Sequence, residues 1–206
     1  MNHGPTRRQI LATATAASFA SLPGMGLAQA GPNTAEMSLG DENAPVTMVE
    51  YAMFTCPHCA TFHLETWPQI KANFVDTGKV RLVYREVYFN RASLWAGMIA
   101  RCASPDRYFG LVDLLYREQA EWLANNDPEA MMAALYGIGR QAGLTDAEMD
   151  TCMSDQGFAE TLVADYQKNA QADGIDSTPS FLIDGEKVGN MSYAEFEAAL
   201  NAALGE

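Results

Sequence analysis

Two cysteines separated by Pro57 and His58, Cys56-Pro57-His58-Cys59, are the residues of this chain best suited by type and spacing to do chemistry. They follow an apolar run, Val46 to Phe54, and open a stretch, Ala60 to Phe74, in which Phe62, Trp67, Ile70 and Phe74 recur at roughly helical spacing. That reads as strand, turn, helix. Cys56 falls at the N-cap and Pro57 in the first turn, where a missing amide N–H costs nothing. The free amides of that turn and the helix dipole favour a thiolate on Cys56. Two cysteines so spaced across a helix start can bring their sulfurs within bonding distance, so the spacing suits a reversible disulfide. Other uses of the pair fit less well. A zinc site asks for a second CxxC, and Cys102 and Cys152 stand alone; c-type haem attachment asks for His at position 60, which is Ala60. A purely structural disulfide rarely closes so small a loop.

The elements that must position this site are legible as punctuation. Gly31 to Pro45 is turn-rich and reads as an arm or short edge strand, and Val46 to Ala52 as a strand covered on both faces, with Glu50 the oddity within it. Gly78 ends the first helix, and Lys79 to Phe89 is rich in strand formers, completing a βαβ unit. From about Arg91 to Gly174 the pattern is helical. Trp95, Met98, Ile99 and Cys102 share one face; Ser104-Pro105 and Asp127-Pro128 start helices, Gly143 ends one, Thr145 to Glu148 is a capping box, and Phe158 to Ala172 makes another helix. Ser180 to Ile183, the turn Asp184-Gly185 and Glu186 to Val188 then form a hairpin, and Ser192 caps a last helix with Phe196, Leu200 and Leu204 inward. The fold class is therefore α/β: a thioredoxin-like domain, 31–90 and 175–206, interrupted by an all-α insertion, 91–174.

The 206 residues suit one domain with an insertion, and 48% hydrophobic content supports a core. A net charge of −13 argues against a nucleic-acid partner. The first thirty residues carry Arg7 and Arg8, no acid, a weakly apolar segment and the small-x-small ending Ala28-Gln29-Ala30. They read as an export signal cleaved near Ala30, similar to a twin-arginine leader, with an ordinary secretory signal as the alternative. The expected location is the periplasm, where four cysteines imply disulfide chemistry.

With Glu50, Cys56-Pro57-His58-Cys59, the helical insertion and Thr178-Pro179-Ser180-Phe181-Leu182-Ile183-Asp184-Gly185 in place, the chain resembles the DsbA family of exported thiol-disulfide oxidoreductases. The resemblance implies that Cys56 is the nucleophile and Cys59 the resolving thiol, with His58 donating to, or placing positive charge beside, the Cys56 sulfur. It implies a cis Thr178-Pro179 bond beside the cysteines, the Thr178 backbone pairing with an extended substrate chain, and Glu50 as a buried acid that moves protons at Cys59. An acid reaching water at the sheet edge is the plainer reading of Glu50. The best-known enterobacterial members carry an acid where His63 stands, a departure that alters the local electrostatics. Met53 and Phe54 are read as core or as an apolar lip. Some members hold a second, non-catalytic cysteine pair in the insertion, which implies a Cys102–Cys152 bridge; two buried free thiols are the alternative.

The implied function is donation of the Cys56–Cys59 disulfide to newly exported, cysteine-containing proteins. The implied protein is a monomer without metal or other cofactor, reoxidised by a membrane DsbB-like, quinone-linked oxidase. Two alternatives remain: a disulfide isomerase or reductase, and a thiol protein handling copper or zinc through Cys56, Cys59 and His63.

Overall fold

The computed structural model describes residues 1, 33–124 and 126–206, so the leader and its cleavage site lie outside the described residues. Five strands form one sheet in the order β1-β3-β2-β4-β5: β1 Met37–Leu39, β2 Val46–Ala52, β3 Val80–Glu86, β4 Ser180–Ile183 and β5 Glu186–Val188. Only β2 and β3 run parallel; the other pairs are antiparallel. The near-continuous apolar sequence of β2 is explained by its place at the centre, where both faces are covered. The arm contributes β1, a three-residue edge strand. Asp184 and Gly185 both have positive φ, 48° and 86°, as a two-residue I′ hairpin between β4 and β5 requires.

The helix that follows the cysteines runs from Pro57 to Val75 in four contiguous segments. They are α1 Pro57–Thr61, a π segment Phe62–Thr66, α2 Trp67–Ile70 and a second π segment Lys71–Val75. Pro68 supplies the cause of the first interruption: it has no N–H for the i−4 carbonyl and its ring crowds that carbonyl, so the ladder widens just before it. The wider turn also absorbs a spacing that does not suit an α-helix. Phe62 and Trp67 are five residues apart, yet Phe62, Trp67, Ile70 and Phe74 are all buried.

Six helices separate β3 from β4: α3 Arg91–Cys102, α4 Pro105–Arg117, α5 Gln119–Trp122, α6 Pro128–Gln141, α7 Asp146–Met153 and α8 Gln156–Ala172. A last helix, α9 Tyr193–Leu204, follows β5. Asp127 caps α6 and Thr145 and Ser192 form capping boxes on α7 and α9, at the positions where the sequence marks helix starts. One expectation is corrected. β3 stops at Glu86 rather than Phe89, because Asn90 accepts from the Ser93 N–H and starts α3. Trp95 is half-buried, packed against the core with the Arg91 guanidinium 5.8 Å from its ring, and Ala96, Gly97, Ile99 and Ala100 are buried positions of the same helix. Gly97 is required there, since a Cβ would lie 2.7 Å from the Tyr88 ring.

The insertion does not pack as a separate body. One core joins Met48, Phe54 and Tyr84 of the sheet side to Ile99, Tyr108, Leu111, Tyr116 and Leu135 of the helices. A buried ion pair adds to the seam: Glu86 accepts from Arg101 at 2.5 and 2.6 Å and from the Tyr108 hydroxyl at 2.5 Å. Arg101 also donates to the carbonyls of Asn33 and Ala35, which ties the arm to α3. Removing either charge would strand the other in the core, the costly way to break such a pair.

Cys102 and Cys152 form a disulfide between α3 and α7, across a sequence separation of 50 residues. Closing a loop of that length is worth roughly 4 kcal/mol in the chain-entropy model, and measured bridges often give less. A Cys102→Ala, Cys152→Ala variant is therefore expected to unfold at lower denaturant by up to this amount, as read from equilibrium melts. Superimposable melts would remove the bridge from the account of stability.

Candidate active site

The turn that carries the cysteines is built locally. The Cys56 N–H donates to the Met53 carbonyl at 2.9 Å, and the Cys56 carbonyl accepts the first helical bond, from Ala60, at 3.2 Å. Cys56 itself is extended (φ −85°, ψ 119°), the N-cap geometry, with Pro57 immediately inside the helix. Its sulfur is therefore aimed at the helix mouth, and Cys59 lies one turn deeper. Both carry free thiols; Cys59 is fully buried and Cys56 is 6% exposed.

The two thiols have opposite acidities. The Cys59 thiol donating to the Cys56 sulfur does most to lower the Cys56 pKa, to about 5, against the opposing effect of burial. The Thr178 side chain and the backbone N–H groups of Cys59 and His58 add to it. Thr178 acts at both protonation states, because its carbonyl also accepts from the Cys56 thiol at 3.3 Å. That carbonyl favours the neutral thiol, and the balance of donors nevertheless favours the thiolate. Cys59 is pushed far up by burial, then by its bond to Cys56, with Glu50 contributing, while the Met53 N–H at 3.5 Å partly offsets this.

Glu50 lies on β2 between Tyr84 of β3 and Phe181 of β4. It does not reach water at a sheet edge: β2 is central and Glu50 is 1% exposed. Burial raises its pKa to about 8, and its Oε1 has no hydrogen-bond partner among the described residues. A neutral acid under a buried thiol can take or give the proton that Cys59 must exchange. Tyr84 and Tyr116 face the same region with their hydroxyls 2.7 Å apart, both buried.

The remaining sequence candidates fall in varied places. The Thr178-Pro179 bond is cis, and Thr178 meets Cys56. Pro57 and His58 are exposed, and what reaches the Cys56 sulfur from His58 is its backbone N–H. A His58→Leu variant is thus expected to keep a Cys56 midpoint well below an ordinary thiol, because the amide stays in place. A return to the ordinary range in an absorbance titration would make the imbuing group the imidazole instead. His63 does not turn to the cysteines. It is buried, stacks on Tyr116 with ring centroids 4.8 Å apart, and places Nε2 3.4 Å from Asp113. Burial lowers its pKa, partly countered by Asp113. Phe54 is core, packed on Tyr84 and Tyr116, and Met53 is half-buried.

Two residues that hold the site carry no signal in the sequence. Asn90 donates to the Thr55 hydroxyl at 2.9 Å while capping α3. Gln119 donates to the carbonyls of Phe54 and Cys56. Its place in the polar run Arg117-Glu118-Gln119-Ala120-Glu121 gives no hint of burial.

Comparison with known proteins agrees with this geometry. The thioredoxin family model matches residues 32–202. A putative protein-disulfide oxidoreductase of Rickettsia bellii is 33% identical over 172 residues, 83% of this chain and 65% of that protein. The chain thus spans just under two thirds of that relative's length. The crystal structure of Wolbachia pipientis alpha-DsbA1 superimposes with a TM-score of 0.77 at 26% identity, covering 85% of this chain and 94% of that one. The protein-disulfide isomerase of Novosphingobium aromaticivorans does so with 0.70 at 28% identity, covering 83% and 98%. The chain belongs to the thioredoxin family, with the fold of the DsbA proteins.

Proposed function

We propose that this chain is a protein-disulfide oxidoreductase that donates a Cys56–Cys59 disulfide to cysteine pairs of exported proteins. The observation that carries the proposal is the acidic Cys56 thiol set over a buried Cys59 and a neutral Glu50. A substrate thiolate attacks the Cys56 sulfur; the Cys56–Cys59 bond breaks, and Cys59 leaves and takes a proton, for which the buried Glu50, whose charge acts on Cys59, is the candidate acid. A second substrate thiolate attacks the first substrate sulfur and expels Cys56 as its stable thiolate. Two substrate thiols are oxidised, the cysteine pair is reduced by two electrons, and the easily expelled Cys56 drives the second step.

Stability follows the same sign. A depressed folded-state pKa favours the reduced protein fully above the unfolded thiol value of ~8.5, and this support fades as pH falls through about 5. Reduced protein should then be the more stable form at neutral pH. Thr178 carries the extended substrate chain by strand pairing. The sheet side, 31–90 and 175–206, holds the redox site, and the insertion, 91–174, backs it. The setting is the periplasm, with a monomer reoxidised by a membrane DsbB-like oxidase and no cofactor beyond the disulfide. Among the described residues no helix is long and apolar enough to cross a membrane.

A second reading, isomerisation, is favoured by the name of the Novosphingobium neighbour. Oxidised protein mixed with a reduced, unfolded two-disulfide substrate separates them. Stoichiometric formation of substrate disulfides supports the oxidase; activity only on scrambled substrate would overturn it in favour of the isomerase.

A further inference from the structure

We propose that Gln119 is a positioning residue for the redox turn, through which the helical insertion sets the acidity of Cys56; this rests on the oxidoreductase reading above. Gln119 opens α5, the shortest helix of the insertion, yet it is 8% exposed and faces the sheet side. Its Nε2 donates to the Phe54 carbonyl at 2.7 Å and to the Cys56 carbonyl at 3.0 Å. Both neighbours are acceptors only, which settles the orientation of the carboxamide. A single NH2 group thus bridges Phe54, within the turn, and the nucleophile itself.

Two consequences reach the sulfur. The Cys56 carbonyl is the negative end of a peptide dipole beside its own thiolate, and a donor on it removes part of that opposing field. The same bridge holds Cys56 in the extended N-cap conformation, from which its sulfur meets the N–H groups of His58 and Cys59. Asn90 pins the other side of the turn through Thr55, so two carboxamides from the ends of insertion elements bracket Met53 to Cys56. Trp122, one turn beyond Gln119, is buried and donates to the Leu115 carbonyl at 2.8 Å, which fixes α5 itself. Loss of Gln119 would also take from the buried Phe54 carbonyl its side-chain donor, while the Cys56 carbonyl would keep the Ala60 N–H.

The test uses Gln119→Met, close in volume but without donors, and Gln119→Glu, which sets acceptors and a charge against the carbonyls. The Cys56 thiolate midpoint is expected to rise by about one pH unit in the Met variant, with a matching shift of about tenfold toward the oxidised form in a glutathione buffer. The Glu variant should move further in the same direction. Equal loss of stability in both redox forms with an unmoved midpoint would reduce Gln119 to a packing residue and overturn the proposal. One measurement needs no variant: the Gln119 side-chain NH2 resonances of the reduced wild type should shift with the same midpoint as the Cys56 absorbance. Resonances flat across that range would also overturn it. A wild type with an ordinary thiol midpoint would instead overturn the oxidoreductase reading.

Discussion

A Cys59→Ala variant is expected to accumulate a mixed disulfide between Cys56 and its substrate that Cys59 can no longer resolve, whereas Cys56→Ala should form no adduct at all. The asymmetry follows from burial and acidity. Cys56 is the thiol with the depressed pKa at the helix mouth, and Cys59 is fully enclosed with its pKa raised by burial. Only the ionised, reachable sulfur exchanges with an incoming partner. Removing Cys59 leaves that first exchange possible and removes the attack that would expel the substrate. Mass spectrometry after mixing each variant with a cysteine-containing peptide disulfide decides the matter. Adducts on Cys59 in the Cys56→Ala protein would reverse the assignment of roles.

Glu50→Gln is expected to stabilise the protein at neutral pH and to slow exchange at Cys59. The folded-state pKa is raised by burial to about 8 from the ordinary carboxyl value of 4.5, so the folded protein holds a proton that the unfolded chain has released between those values. Folding stability therefore falls as pH rises through this window and is level outside it. The penalty amounts to about 3 kcal/mol at pH 7 and about 5 kcal/mol above pH 8. Glutamine does not ionise, so the gain should be absent below pH 4.5 and grow with pH. The new amide donors need partners, which trims the gain at every pH equally. Comparing both proteins in one redox state cancels the titration of Cys56. A difference independent of pH would show that Glu50 is not a buried, neutral acid. The same variant should slow formation of the mixed disulfide, the step in which Cys59 leaves and takes its proton.

What the sequence made legible was local. A proline after a capping residue, a capping box or Asp-Gly between apolar pairs each fix a few bonds within four residues, and those starts and turns stand where expected. The cysteine spacing belongs to the same class. The first π segment was foreshadowed only by the five-residue step from Phe62 to Trp67, and its cause is Pro68. The depth of burial along α3 was less legible: Trp95 packs on the core but is only half-buried, while the small residues Ala96, Gly97 and Ala100 are buried. Glu50 was visible as an anomaly, but whether it reached water depended on the place of β2 in the sheet, a long-range fact. Gln119 was beyond reach for the same reason: 63 residues separate it from Cys56, and nothing in its neighbours records the contact.

The most direct test of the central claim is an ultraviolet absorbance titration of the Cys56 thiolate in the reduced protein, with Cys56→Ala as the blank. The account predicts a single midpoint near 5, set by the Cys59 thiol, Thr178 and the amides of His58 and Cys59. A midpoint in the ordinary thiol range, ~8.5, would contradict it.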